Sequence, residues 1–204
     1  MFQENCYVVS DETNECIIID CGALYAEERE AIQNYISKNG LTVKRLICTH
    51  GHIDHNFGND TILQSYDIYP EVSINDKMLI DNLAAQAKSL IGMDFKENSP
   101  SVKHFLEDGE SVSFGNHTLT VISTPGHSPG SVMFYCEKEK TVFSGDTLFR
   151  MSIGRTDFQF GSFKDIVESL KKVCKTLPGD CIVLPGHGEQ TTIGFESAHN
   201  PYIG

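Results

Sequence analysis

In Thr49-His50-Gly51-His52-Ile53-Asp54-His55, four side chains of metal-ligand type fall within six residues, straight after the apolar run Leu46-Ile47-Cys48. In an extended chain, residues two apart point the same way, so His50 and His52 can converge on one cation. A turn just after them would aim Asp54 and His55 at a neighbouring cation, and one short loop could then serve two ions. With 8 His in the chain, this cluster arises by accident in roughly one shuffled sequence per thousand. The chemistry such a loop can support is metal-assisted hydrolysis.

The same ligand types recur later, each in a small-residue turn after an apolar segment. His127 stands in Thr124-Pro125-Gly126-His127-Ser128-Pro129-Gly130, Asp146 in Phe143-Ser144-Gly145-Asp146-Thr147, and His187 in Leu184-Pro185-Gly186-His187-Gly188. Glycine beside each candidate permits positive φ and lets backbone approach a crowded ion.

The elements that must position these loops read as an α/β layered fold. Cys6–Val9 and Cys16–Asp20 are strand-like, the second a continuous apolar run that suits a buried strand. A helix is expected over Ala26–Lys38, stopping at Asn39-Gly40, then a strand over Val43–Cys48 that ends at the His-rich loop. Asn75–Ile91 reads as one helix, with Leu79, Leu83 and Leu90 aligned and Asp76, Lys77 and Asp81 on the polar side. Gly92–Val102 carries no clear pattern. From Ser111 to Ser144 the sequence is β-rich, with strands at Val112–Phe114, Leu119–Ile122, Ser131–Cys136 and Thr141–Phe143. A helix over Phe163–Leu177, with Phe163 opening its apolar stripe, ends at Pro178-Gly179, and Cys181–Leu184 leads into His187.

The chain has 204 residues, is 40% hydrophobic and carries a net charge of −12. This length suits one compact domain, and the charge argues against a nucleic-acid partner, which would need a basic face. No apolar run is long enough to span a bilayer, and the first residues lack a basic region followed by an apolar one, so a cytoplasmic protein without a membrane partner is expected. Seven cysteines, scattered and without a CxxC pair, read as reduced core residues, Cys21 included. His104, His117 and His199 match no ligand setting and read as surface or core histidines.

Taken together, the order HxHxDH, then His, Asp and His, resembles the metallo-β-lactamase superfamily over nearly the whole chain. Gly145–Arg150 running into Ile153–Asp157, and the ending Thr191–Glu196 to Asn200-Pro201-Tyr202, resemble the small bacterial branch of glyoxalase II, the hydroxyacylglutathione hydrolases. The resemblance implies a four-layer αββα sandwich, a single domain over residues 1–204. It implies that His50, His52 and His127 hold one metal, that Asp54, His55 and His187 hold a second, and that Asp146 bridges them. A water shared by two divalent cations would then attack the acyl carbon of a thioester. Asp54 has a second prospect in this family, orienting the nucleophile or passing a proton. Asp20 resembles the acidic residue that hydrogen-bonds a metal-bound histidine from behind. Imidazole with carboxylate suits zinc, iron and manganese, with zinc favoured.

Against that family the chain begins late, because Gln3-Glu4-Asn5-Cys6-Tyr7 normally lies a few residues into the first strand, which implies a weaker edge strand. Glyoxalase II also carries a C-terminal helical extension that grips glutathione, whereas this chain ends soon after His187; thioesterase activity without tight glutathione selectivity is expected. Arg150, Arg155 and Lys164, just beyond Asp146, could meet a substrate carboxylate. The rival readings on the same scaffold are a mononuclear-iron persulfide dioxygenase and a lactonase or β-lactamase. The dioxygenase family typically reads Pro-Ala-His-Asp where this chain has Pro185-Gly186-His187-Gly188.

Overall fold

A computed structural model describes residues 3–95 and 100–203. Strands β1 (Tyr7–Ser10) and β2 (Glu15–Ile19) form an antiparallel pair, and helix α1 (Ala26–Lys38) returns the chain to β3 (Thr42–Ile47), parallel to β2. After the His-rich loop come α2 (Asn59–Tyr66), β4 (Pro70–Ser73), the short α3 (Lys77–Ile80), α4 (Leu83–Ile91) and β5 (His104–Leu106). β1 to β5 make one sheet in sequence order, with β1 at the edge.

The second sheet starts with β6 (Ser111–Phe114), β7 (His117–Ser123), β8 (Val132–Cys136) and β9 (Thr141–Gly145), an antiparallel meander. A small ribbon, β10 (Leu148–Phe149) with β11 (Ser152–Ile153), leads to α5 (Phe163–Thr176). β12 (Ile182–Pro185) then inserts parallel to β9, followed by β13 (Thr191–Thr192) and α6 (Ile193–His199). The order across this sheet is β13-β12-β9-β8-β7-β6.

Side-chain alternation explains the layering. Ile17 and Ile19 of β2 point into a core shared with Val121, Val132, Phe134 and Phe143 of the second sheet, while Cys16 and Ile18 point outward to Ile36 of α1 and Ile62 of α2. On the far side Met133 and Val142 meet Ile166, Leu170 and Val173 of α5. A continuous apolar run is therefore required of β2, since both its faces are covered. Each such fully buried side chain contributes about 1.5–3 kcal/mol. The result is the expected sandwich: helices, sheet, sheet, helices.

Three expectations are corrected. The single helix over Asn75–Ile91 is broken between Ile80 and Leu83. Its cause is competition for carbonyls: Asn82 Nδ2 donates to Met78 O at 2.7 Å and Gln86 Nε2 to Leu79 O at 2.8 Å, taking the acceptors an unbroken helix would use. Asp76 is not on a polar face but fully buried. Phe163 does not join the apolar stripe of α5, being 56% exposed at its first turn. Part of the unpatterned stretch Gly92–Val102, residues 96–99, lies outside the described residues. α2, β4, β5 and α6 had no sequence expectation. No helix among the described residues is long and apolar enough to cross a membrane.

Candidate metal centre

The HxHxDH loop leaves the end of β3, and the loops of His127, Asp146 and His187 leave the ends of β7, β9 and β12. The seven side chains meet where the two sheets open onto one edge. Ligand atoms of His50, His52 and His127 lie within 4.8 Å of one another, as do those of Asp54, His55 and His187, and those of His50, His55 and Asp146. Asp146 sits between the groups: its Oδ1 is 3.3 Å from His55 Nε2, and its Oδ2 is 3.6 Å from both His127 Nε2 and His187 Nε2. His50, His52, His55 and His127 are buried, whereas His187 and Asp54 are 25% and 19% exposed and form the open side.

Hydrogen bonds behind the rings set which nitrogen faces inward. His55 Nδ1 donates to Asp20 Oδ2 at 2.9 Å, His127 Nδ1 to Arg155 O at 2.8 Å, and His187 Nδ1 to Gln3 O at 3.3 Å. Thr49 Oγ1 gives its own proton to Asp20 Oδ2 at 2.7 Å, so at 3.0 Å it accepts from His50 Nδ1. In its neutral form each of these rings therefore turns an Nε2 lone pair inward. His127 Nε2 then faces His52 Nδ1 at 2.8 Å, and His55 Nε2 faces His187 Nε2 at 3.2 Å. Two buried atoms of the cluster, His50 Nε2 and Asp146 Oδ1, have no hydrogen-bond partner among the described residues. Converging lone pairs and orphaned buried acceptors are costly unless a cation satisfies them. This donor set of nitrogen and carboxylate oxygen fits a pair of divalent cations.

Electrostatics agree with a site built for positive charge. Burial drives His50 well below the usual imidazole range, with the neighbouring histidines adding to it. Burial and the facing His127 push His52 down to about 3. Burial disfavours charge on His55 too, but the carboxylates of Asp146 and Asp20 outweigh it and hold its pKa well up. Burial would raise Asp146 and Asp54; the histidines around them keep both carboxyls ionised below their ordinary values.

Glycine at one position is dictated by the cluster. A Cβ on Gly186 would run into Asp146 Oδ1 and come within 2.6 Å of His55 Cε1. The space beside the second group of ligands therefore exists because residue 186 has no side chain.

Several residues that hold the loops carry no sequence signal of their own. The carboxylate of Asp76 accepts from Gly51 N at 2.7 Å, from Gly130 N at 2.6 Å and from Ser128 Oγ at 2.6 Å, tying the loop of His50 and His52 to that of His127. The Gln86 amide accepts from Ile53 N at 3.1 Å and donates to Gly51 O at 3.0 Å. Asn5 Nδ2 and Tyr7 Oη both donate to Pro185 O, at 3.0 and 2.7 Å, seating the first strand against the His187 loop. These partners are distant in sequence, which is why pattern alone does not find them.

Of the candidate substrate cations, Arg155 lines the cleft of about 500 Å³ above the ligands but is paired by two 2.7 Å bonds to Asp157. Arg150 is not brought to that cleft; it lies over the Phe195 ring, beside a separate groove. Lys164 is exposed on α5. His104, His117 and His199 lie outside the cluster, paired to Glu110, to Asp11 and Glu139, and to the Phe195 carbonyl.

Residues 1–187 match the family model of the metallo-β-lactamase superfamily. The chain belongs to that superfamily. Among curated relatives of this metallo-β-lactamase-fold chain is the hydroxyacylglutathione hydrolase GloC of Haemophilus influenzae, 32% identical over 99% of this chain and 93% of its own. Among solved structures, the B3 metallo-β-lactamase BLEG-1 is 35% identical with a TM-score of 0.90, covering 99% of this chain and 95% of its own. TTHA1623, solved in a di-iron-bound form, is 33% identical with a TM-score of 0.86, covering 98% of this chain and 96% of its own. Superfamily membership supports a metal-dependent hydrolase acting on a small molecule.

Proposed function

We propose that the protein, as one metallo-β-lactamase-like domain over residues 1–204, is a binuclear-metal thioesterase of the glyoxalase II kind, cleaving a hydroxyacylglutathione or a related acyl thioester. The observation that carries this reading is the placement of Asp146 within reach of His55, His127 and His187 at once. In it, His50, His52 and His127 hold one cation, Asp54, His55 and His187 the other, and Asp146 both; zinc is favoured, with iron or manganese suited by the same donors. When bound, two such cations supply Lewis acidity to the thioester carbonyl and make hydroxide accessible near neutral pH.

The chain's own groups do the rest. Asp54, ionised and open to the cleft, orients the water by accepting a hydrogen bond from it. Asp20 fixes the tautomer of His55 through its Nδ1. A departing thiolate needs little protonation, which suits a cleft whose other lining side chains, such as Phe149, Ile153 and Phe158, offer no acid.

Gly186 favours this reading over the dioxygenase, whose motif places alanine where a Cβ would strike Asp146 and His55. The likeness to BLEG-1 supports a second reading, β-lactam hydrolysis. The deciding experiment is metal content per chain together with S-lactoylglutathione hydrolysis, nitrocefin hydrolysis, and oxygen uptake with glutathione persulfide. About two metals with thioester cleavage is the expected result. One iron with oxygen uptake, or nitrocefin cleavage alone, would overturn it.

A further inference from the structure

Beside the metal centre lies a second cavity of about 470 Å³, within the size range that accommodates a small organic group. It adjoins the cleft above the ligands, since His52, Leu90 and Phe158 line both. Its walls are the outward faces of α3 and α4, with Met78, Leu79 and Leu90, and the loop after β11, with Phe158 and Phe160. Met78, Leu90 and Phe160 are 52%, 43% and 44% exposed. Large apolar side chains left open around one hollow beside a cluster of metal-ligand side chains mark a binding surface.

Of the polar side chains in that wall, Ser89 and Gln159 are uncharged and exposed, and the amides of Asn82 and Gln86 are occupied within the protein. Asn82 bonds the Met78 carbonyl, and the Gln86 amide is spent on Ile53, Gly51 and Leu79. Among the described residues no Lys or Arg lines the cavity, so a glutathione carboxylate entering it would lose hydration without gaining a cation from them. An apolar chain would lose nothing.

The hollow is also held in shape before anything enters. Phe158 is clamped by the Arg155 guanidinium, 3.9 Å over its ring, and meets the His52 ring edge-on at 5.3 Å. Phe160 stands at φ +73°, a region uncommon for an aromatic residue, in a turn closed by Gly161 N donating to Phe158 O at 2.9 Å. On the other wall, Gln86 fastens α4 to the His-rich loop.

We infer that this cavity is a subsite for an apolar chain of the substrate, so that the preferred thioester carries a medium-length alkyl group next to the scissile bond. This deepens the thioesterase reading and rests on it. The chain could enter from the acyl or the thiol side, and two substrate series separate them. In the first, acyl thioesters of N-acetylcysteamine lengthen from acetyl to octanoyl; in the second, acetyl thioesters lengthen through a series of straight-chain alkanethiols. With the metal-loaded protein, kcat/KM should climb by up to about fourfold per methylene in one series until the cavity is full. The series that climbs assigns the side.

Ala85→Phe, at an exposed position of α4 on the cavity wall, should fill the space and flatten that climb, cutting the ratio of longest to shortest substrate in the climbing series about tenfold or more. As a readout independent of turnover, the Met78 methyl resonance should shift with S-octyl-N-acetylcysteamine thioether, and not with its S-methyl analogue. Hydrolysis that is flat with length in both series would overturn the subsite and leave the thioesterase reading standing. No hydrolysis in either series would count against the thioesterase reading; the Met78 resonance then decides the subsite, and an unmoved signal overturns it.

Discussion

The first sheet contributes its four ligand candidates from six residues of one loop, whereas the second contributes three from separate strand ends between His127 and His187. The two halves are also braced differently. Around the compact loop the bracing is by side chains: Asp20 takes Thr49 N at 2.7 Å, Asp76 takes Gly51 N, Gln86 accepts from Ile53 N and donates to Gly51 O, and Asn56 donates to His50 O and His52 O. On the dispersed side, where Asp76 also holds Ser128 and Gly130 and where Asn5 and Tyr7 hold Pro185 O, close approach of bare backbone is added to such bonds. Gly145, at φ +49°, would place a Cβ 2.5 Å from Thr49 Oγ1, and Gly186 N donates to Gly145 O at 2.9 Å. A contiguous loop must be stiffened by partners brought to it; scattered strand ends must in addition be allowed near one another.

The largest effect is expected where the halves meet. Asp146→Ala should remove both metals and bring thioester hydrolysis below detection, measured by elemental analysis and initial rates. A fully active Asp146→Ala protein would break the assignment of that carboxylate to both groups. Gly186→Ala tests the dispersed half alone: metal content should fall from about two per chain toward one, with a stability loss of about 1–3 kcal/mol from overpacking. Retention of two metals would mean that the backbone at residue 186 yields more readily than close approach implies.

Asp76→Ala tests the bracing of the compact half. It strands two backbone N–H groups in a buried setting and takes from the Ser128 hydroxyl one of its two partners, and should cost about 3 kcal/mol in denaturant unfolding. Asp76→Asn should recover little, because an amide NH2 turned toward one of those donors repeats the mismatch. The smallest effect lies away from both halves. His117, held by Glu139 and Asp11, has its pKa raised above the imidazole value. Its contribution to stability is therefore complete below about pH 6.5 and is lost as pH rises through the raised value. His117→Gln should remove that slope from the pH dependence of Tm while leaving metal content unchanged.

The compact half was legible in the sequence because its signal is local: spacing within the loop, and an apolar run leading into it. His127, Asp146 and His187 were legible through their repeated turn setting and the family resemblance, yet nothing in their spacing states that they meet. Asp76 shows where pattern fails. A carboxylate at the head of a helix looks the same in sequence whether it faces water or three donors from residues 51, 128 and 130. The break after Ile80 was equally hidden, since Asn82 and Gln86 are good helix surface residues until their amides take the carbonyls of Met78 and Leu79. The four layers, by contrast, follow from the alternation within β2 and β8 and from the stripe of α5.

His55 and His187 are 132 positions apart, and His52 and His127 are 75 apart. The pairs come together only after the two sheets have docked, so no fragment of the chain can assemble the centre by itself. Cations that bind only the assembled form act as a reversible cross-link between the chain's halves and draw the folding equilibrium with them, by about 2.7 kcal/mol at a hundred times the dissociation constant. Chelation would accordingly loosen the whole sandwich rather than one loop, and free metal concentration becomes a determinant of how much chain is folded.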